Sequence, residues 1–301
     1  MKMNAEKYDI VFMSKVLEVT PQGYYSYLKN LEKPYKYELL LAEMNKIISE
    51  DECNDEYGSM RMYQALMHKK SLNNSVFPTI PGERTIYRIM SDNGLIHRPN
   101  RKPNGITKAD KLAQKADDLI HRDFTADEPM RKAVTDMTEI PTADGKLYIS
   151  GVFDCYDLMP IGLSMADTMR AELCVETIRS IATAYGKSSI NGMIVHSDRG
   201  SQYTSELYKS SLKKLGIKQS MNSAGGRCHD NARCESIWGR MKTELIYGRY
   251  DTKKMSIDSV KSIVWRYFMS YWCNRRICSA IGGVPPAFKR KMYYEKLKVT
   301  A

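Results

Sequence analysis

Apolar residues in the first hundred positions recur at helical spacing. Thr20 followed by Pro21 has the pattern of an N-cap with proline at the first helical position, and the apolar residues of 37–48 repeat every three or four positions. Two shorter helical stretches follow at 58–68 and 83–93. They precede a basic segment, so the sequence allows either a DNA-binding helix-turn-helix or a small helical bundle that does not touch DNA.

The pattern changes after a segment at 99–110 that contains proline and glycine. Apolar runs predict three strands at 133–140, 146–153 and 160–165, joined by short turns. A helix is predicted from an N-cap at Thr168 to a stop at Gly186, then a strand at 192–197 and two more helices, the last beginning near Asn231. This is the element order of the ribonuclease H fold.

The chain is therefore predicted to be an α/β protein with a ribonuclease H-like domain behind a small all-helical domain. The predicted parts are a helical N-terminal region at 1–98, a linker at 99–128, the ribonuclease H-like domain at 129–246 and a basic helical C-terminal region at 247–301.

Charge is unevenly distributed along the 301 residues. Residues 201–301 contain 20 Lys and Arg against 7 Asp and Glu, whereas residues 1–130 contain 19 of each. A basic surface confined to one part of a protein suits a polyanionic partner, because each neutralised phosphate releases a counterion. On charge alone, a basic surface kept for solubility is equally acceptable.

The seven cysteines include no CxxC pair and no zinc-finger spacing, which favours reduced, mostly buried thiols. The sequence shows no signal-peptide pattern and no apolar run long enough to cross a bilayer. We therefore expect a cytoplasmic protein without membrane contact.

Three carboxylates stand at positions that point to chemistry. Asp136 lies inside the first predicted strand, Asp198 follows the fourth, and Glu235 lies one turn into the last predicted helix. The fold would bring the first strand beside the fourth with that helix across them. Three such carboxylates would repel one another unless divalent cations with oxygen ligands offset the charge, and two Mg²⁺ ions roughly 3.5 to 4 Å apart can act on a phosphodiester. From position alone, ordinary structural roles remain the alternative.

Longer motifs favour the chemical interpretation. They are Val134-Thr135-Asp136-Met137-Thr138, His196-Ser197-Asp198-Arg199-Gly200-Ser201-Gln202-Tyr203-Thr204-Ser205, Ser220-Met221-Asn222, His229-Asp230-Asn231-Ala232 with Glu235-Ser236, and Tyr271-Trp272-Cys273-Asn274-Arg275-Arg276 with Pro285-Pro286. Together they closely resemble the integrase-like second reading-frame product (OrfB) of the insertion-sequence three family of bacterial transposases, from about residue 130 to the end.

The resemblance implies a retroviral-integrase-like core in which Asp136, Asp198 and Glu235 are catalytic and bind the metal. It implies Mg²⁺, with Mn²⁺ as a substitute and two ions bound, and it implies DNA as substrate: transposon terminal inverted repeats and target DNA. It further implies an upstream reading-frame product, joined by ribosomal frameshifting, and a homo-oligomer on DNA. Between Asp198 and Glu235 lie 36 residues, one more than is usual in the family, and the loop at 225–228 should absorb the extra residue.

Lys242 follows Glu235 by seven residues and so returns to the same helix face, with Trp238 and Gly239 between them. A lysine there could hold the phosphate next to the scissile bond, or be an ordinary solvated residue. Cys234, Ile237, Met241 and Leu245 form the opposite, apolar stripe. The other residues expected to contact DNA are Arg199, Gln202, Arg240, Arg275 and Arg276.

The leading functional hypothesis is a transposase that cuts at the element's ends and transfers the resulting 3′-hydroxyl to another phosphodiester. A non-catalytic DNA-binding regulator of transposition is the alternative from another class, and the intact triad favours the enzyme. A general ribonuclease H-like nuclease would leave the motifs at 203–231 unexplained.

Overall fold

The computed structural model describes residues 1–31, 33, 35–72, 79–97, 116–221 and 231–300. Within it the chain forms two compact units, Met1–Lys46 and Ile47–Ala301. The predicted linker segment at 99–110 and the loop at 225–228 lie outside the described residues. The four-part division of the chain remains a prediction.

Four of the five N-terminal helices lie close to their predicted positions, whereas the first, Ile10–Val16, was not predicted. The predicted cap is confirmed, because Thr20 Oγ1 accepts a hydrogen bond of 3.0 Å from the amide of Gly23. Ile86, Ile89 and Met90 of the last of these helices are all buried. The helices are α1 (Ile10–Val16), α2 (Pro21–Leu31), α3 (Glu38–Ser49), α4 (Ser59–Ser71) and α5 (Glu83–Asp92), with short 3-10 turns at Lys2–Asn4 and Glu52–Glu56.

A five-stranded sheet forms the centre of the second unit. Its strands are β1 (Lys132–Thr142), β2 (Gly145–Asp154), β3 (Pro160–Ala166), β4 (Ile194–Ser197) and β5 (Lys218–Met221), in the spatial order β3-β2-β1-β4-β5. The first three pair antiparallel, and β4 and β5 add in parallel beside β1. This is the ribonuclease H-like order, and it confirms the predicted fold class. The strand β5 was not predicted.

Helices follow the strand meander and cover one face of the sheet. They are α6 (Ala171–Tyr185), α7 (Lys187–Ile190), α8 (Ser201–Thr204) and α9 (Glu206–Leu215). The predicted N-cap at Thr168 is wrong. Strand β3 continues to Ala166 and a bend occupies 167–168, so the extended residue before α6 is Arg170, which makes no side-chain cap. The predicted stop at Gly186 is confirmed, with a φ of 80°.

The other face of the sheet carries α10 (Ala232–Met241), a π-helical turn at Lys242–Ile246, α11 (Ile257–Arg266) and a π-helical segment at Tyr267–Trp272. The chain also contains 3-10 turns at Thr252–Lys254 and Ser279–Ile281 and a C-terminal helix, α12 (Pro286–Thr300). One apolar core contains buried residues of α10 and of this face of β1 and β2. It also contains Val260, Val264, Tyr267 and Phe268, which are fully buried. A second core lies beneath α6 and α9.

The six cysteines in the described ranges are buried and free, as predicted, while Cys228 lies outside them. No helix among the described residues is both long and apolar enough to cross a membrane.

Candidate active site

The parallel pairing of β1 with β4 brings Asp136 and Asp198 to the same edge of the sheet. The pairing runs to Val134 opposite His196 and ends there. Asp136 lies two residues beyond Val134, and Asp198 lies two residues beyond His196, directly after β4 ends. Continuing the register sets the two carboxylates side by side. The predicted neighbourhood of the first and fourth strands is thus confirmed.

Helix α10 packs across the sheet on the same face as the side-chain position of Asp136. Asp136 pairs with Gly151 of β2, and the ring of Trp238 from α10 packs directly over Gly151. The predicted apolar stripe is buried in this core, with members Cys234, Ile237, Met241 and Leu245. Trp238 is buried with them, so it does not share the exposed surface of Glu235.

Backbone amides next to the two aspartates already hold one oxygen of each. The amide of Met137 donates to Asp136 Oδ1 at 2.8 Å, and the amide of Gly200 donates to Asp198 Oδ1 at 2.9 Å. Both aspartates are half-buried, whereas Glu235 is exposed. In the part of the chain that the structure describes, no three His, Cys, Asp or Glu side chains are already arranged as a metal site.

The electrostatics nevertheless put the three carboxylates in one region. Burial is the main cause that raises the pKa of Asp136 to about 8, and the charges of Asp198 and Glu235 raise it further, against the Met137 amide and Lys242. Burial also raises the pKa of Asp198. The pKa of the Cys234 thiol lies well above its ordinary value because of burial first, and then because of Asp136, Cys155, Asp198 and Glu235.

Burial and neighbouring like charges therefore both disfavour the ionised form of Asp136 at this edge of the sheet. A divalent cation would remove the repulsion, and carboxylate oxygens are the donors that Mg²⁺ prefers. By donor type and charge, Asp136, Asp198 and Glu235 fit such an ion. Binding would require their side chains to turn toward a common centre.

The residues expected to contact DNA have very different environments. Lys242 begins the π-helical turn after α10 and is half-buried, close enough for its charge to lower the pKa of Asp136. Arg199 and Gln202 are half-buried near Asp198, and Arg240 is exposed on α10. Arg275 is exposed and lies 3.7 Å from Asp51.

Arg276 is buried, with only 4% of its surface exposed. Its Nε and Nη2 atoms donate to the two carboxylate oxygens of Glu244 at 2.8 and 2.7 Å, and its guanidinium lies 4.4 Å from the centre of the Trp272 ring. Arg61 and Tyr267 donate to the same carboxylate. The Nη1 atom of Arg276 lies 3.1 Å from Cys278 Sγ, so both edges of the guanidinium are used inside the core and Arg276 is not placed to contact DNA.

Sequence reasoning missed the residue that links α10 to β1. Asn231 directly precedes α10 and donates its Nδ2 to the carbonyl of Thr135 at 3.1 Å. The sequence signal was available, since asparagine is common at helix N-caps, but it predicts a local cap and not a bond to a strand.

Comparison with known proteins identifies relatives over most of the chain. Residues 126–226 match the integrase core domain family, a segment that includes Asp136 and Asp198 and ends before Glu235. The chain is 30% identical over 291 residues to a putative transposase for insertion sequence element IS150 from Escherichia coli, covering 95% of both chains.

It is also 30% identical over 281 residues to a putative transposase for insertion sequence element IS986/IS6110 from Mycobacterium tuberculosis, covering 92% of this chain and 97% of that protein. Among solved structures, it is similar to a chain of the simian T-cell lymphotropic virus intasome in complex with a PP2A regulatory subunit. The TM-score is 0.45 and the identity 11%, with 75% of this chain and 74% of that chain covered. The two transposases establish the family: this chain is a transposase/integrase of the insertion-sequence three type, similar to its second reading-frame product, and a polynucleotidyl transferase.

Proposed function

We propose that this transposase cuts DNA at the terminal inverted repeats of its insertion sequence and joins the released 3′-hydroxyl to a target phosphodiester, with Asp136, Asp198 and Glu235 as its catalytic and metal-binding residues. The observation that supports the proposal is the parallel pairing of β1 with β4, which places Asp136 and Asp198 beside each other at one edge of the sheet. The charge of Glu235 from α10 also acts on Asp136, so the three side chains together suit a site that holds cations.

Two divalent ions, Mg²⁺ in the cell with Mn²⁺ as a substitute, would activate the attacking oxygen and stabilise the leaving oxygen when bound. The three carboxylates would hold the ions. In the first reaction, water attacks the phosphodiester at the element's end and the bond to the 3′ oxygen breaks. In the second, that 3′-hydroxyl attacks a target phosphodiester, a new bond to phosphorus forms, and a target 3′-hydroxyl leaves.

Cationic and polar side chains around the carboxylates would hold the DNA. Lys242 is the candidate for the phosphate beside the scissile bond, because its charge already acts on Asp136. Arg199, Gln202, Arg240 and Arg275 would contact neighbouring phosphates. Lys242→Ala should then weaken binding to terminal-repeat DNA and slow strand transfer while Mg²⁺ binding persists. Normal end binding and normal transfer in that variant would show that the side chain has no such role.

We further propose that the active form is a homo-oligomer on DNA, joined through ribosomal frameshifting to the upstream reading-frame product. The enzyme would act in the bacterial cytoplasm, at the nucleoid, where its DNA substrate lies.

Strand transfer with the element's own ends tests the proposal, in Mg²⁺, with and without the upstream product. Replacing any one of the three carboxylates by its amide should abolish cleavage and leave end binding largely intact, since the phosphate contacts lie elsewhere. Comparable residual cleavage in all three variants would contradict the assignment. End binding by the wild type without metal-dependent cleavage would instead support a non-catalytic regulator.

A further inference from the structure

Asn231 stands at the N-cap of α10 but does not act as a cap. An asparagine at this position ordinarily accepts a hydrogen bond from an amide of the first helical turn. Asn231 makes no such bond. Its side chain is 97% buried, since only 3% of the residue is exposed, and its Nδ2 donates to the carbonyl of Thr135 at 3.1 Å. The residue therefore connects α10 to β1.

Thr135 is itself fixed in the sheet. Its hydroxyl donates to the carbonyl of Gly151 at 2.9 Å, and Gly151 is the strand partner of Asp136. The pairing of β1 with β4 ends one residue earlier, at Val134. Asn231 thus binds β1 directly after the last residue of β1 that pairs with β4. Asp136 and Asp198 lie at this same edge of the sheet.

The positions along the chain make this bond a link between two carboxylates. Asp136 directly follows Thr135, and Glu235 follows Asn231 by four residues, about one helical turn or roughly 6 Å of rise. One hydrogen bond therefore joins the strand that carries Asp136 to the helix that carries Glu235.

We propose that Asn231 is a positioning residue, which holds the start of α10 against β1 so that Glu235 can bind the same divalent cation as Asp136. This inference rests on the proposed function of the three carboxylates. Asn231 acts through the helix and touches neither the DNA nor the ion.

The chain provides a matched control in Asn54. Asn54 is also buried, 4% exposed, and its Nδ2 also donates to a backbone carbonyl, that of Ile47, at 2.7 Å. It lies on the 3-10 turn Glu52–Glu56, far along the chain from the three carboxylates. If the only effect were the loss of a hydrogen bond from a buried side-chain amide, substitution of Asn54 and of Asn231 should change metal binding alike.

The test measures Mn²⁺ binding to the full chain, from the electron paramagnetic resonance signal of the free ion, together with the melting temperature in EDTA. Asn231→Ala removes the bond. Asn231→Ser also removes it, because the shorter side chain cannot reach Thr135, but serine caps helices well and keeps α10 formed. We expect the Kd for Mn²⁺ to rise about 10- to 100-fold in both variants, as is usual when a residue that orients a ligand is lost. Asn54→Ala should keep the wild-type Kd even where its melting temperature falls.

Unchanged Mn²⁺ affinity in a folded Asn231→Ser protein would overturn the inference and leave the proposed function intact. An equal loss of affinity in Asn54→Ala would overturn it as well. A wild type that binds no Mn²⁺ would overturn the proposed function together with this inference, and the two failures are told apart by the wild-type measurement alone.

Discussion

Gly151→Ala should displace the helix that carries Glu235. A Cβ at this position would lie 2.8 Å from the ring of Phe153 and 2.9 Å from the ring of Trp238. Ordinary carbon contacts begin near about 3.5 Å, so the Trp238 ring must retreat by roughly 0.6 Å. Phe268 blocks the retreat, since its ring centre lies 5.6 Å from those of both Phe153 and Trp238. The movement must then pass into α10.

Overpacking of this kind costs about 1 to 3 kcal/mol of unfolding free energy, and each kcal/mol lowers the melting temperature of a chain of this size by roughly 2 to 4 °C. The effect on chemistry should be larger, because a misplacement of about 1 Å at a reacting centre can cost about 10²-fold in rate. For the smaller shift here we expect metal-dependent cleavage of terminal-repeat DNA to slow by about tenfold or more.

Gly162→Ala is the matched control. Its Cβ would meet Ile181 and the carbonyl of Thr177 at 2.8 Å, so it overpacks the sheet equally, but against α6 on the opposite face. Both variants should melt at lower temperature, and only Gly151→Ala should lose cleavage and Mn²⁺ affinity. Equal cleavage in two equally destabilised variants would refute the argument that the contact at Gly151 sets the position of Glu235.

Three further predictions concern charge. Between pH 3.8 and about 8, Asp136 holds a proton in the folded protein but not in the unfolded one, so stability in EDTA should fall as the pH rises through this range. Asp136→Asn should flatten that fall in melting temperature, and added Mg²⁺ should stabilise the wild type at pH 8.5 but not the variant. Glu244→Gln should cost about 3 to 5 kcal/mol in denaturant unfolding, because the buried Arg276 loses its charged partner, whereas Glu139→Gln at an exposed pair with Lys146 should cost under about 1 kcal/mol. Neutralising three exposed lysines of α12 (Lys291, Lys296 and Lys298) should reduce the slope of log affinity for DNA against log salt by up to about 2.7. The control neutralises three exposed lysines of residues 1–46 (Lys7, Lys15 and Lys29). An equal reduction of the slope in the control would contradict the predicted basic C-terminal surface.

Long apolar segments made much of the fold predictable. The first strand was predicted at 133–140 and spans Lys132–Thr142, because its alternating apolar residues face two separate cores. The strand β5 has only four residues, Lys-Gln-Ser-Met, and no alternation to detect. It is held by its parallel pairing with β4, which is a long-range contact and leaves little trace in local sequence.

The candidate site was likewise predictable only in part. Motifs and strand ends predicted the positions of Asp136 and Asp198, because those positions follow from the order of the elements. The bond from Asn231 to Thr135 spans 96 residues and could not be read from either segment alone. The same limit applies to Gly151. That position has no room for a Cβ, but this follows only from the packing of Trp238 above it.

A charge count cannot distinguish a cation that meets solvent from one that is used inside the protein. Arg276 counts toward the basic excess of residues 201–301 just as Arg275 does, yet Arg276 is buried against Glu244 whereas Arg275 is exposed. Burial raises the pKa of the Glu244 carboxyl, but Arg276 and Arg61 outweigh burial and lower that pKa to about 2, so the pair stays ionised in the core. Its partners come from three segments far apart in sequence: Arg61 on α4, Tyr267 after α11, and Arg276 itself. Because Glu244 lies two residues after Lys242, these long-range contacts also anchor the π-helical turn from which Lys242 extends.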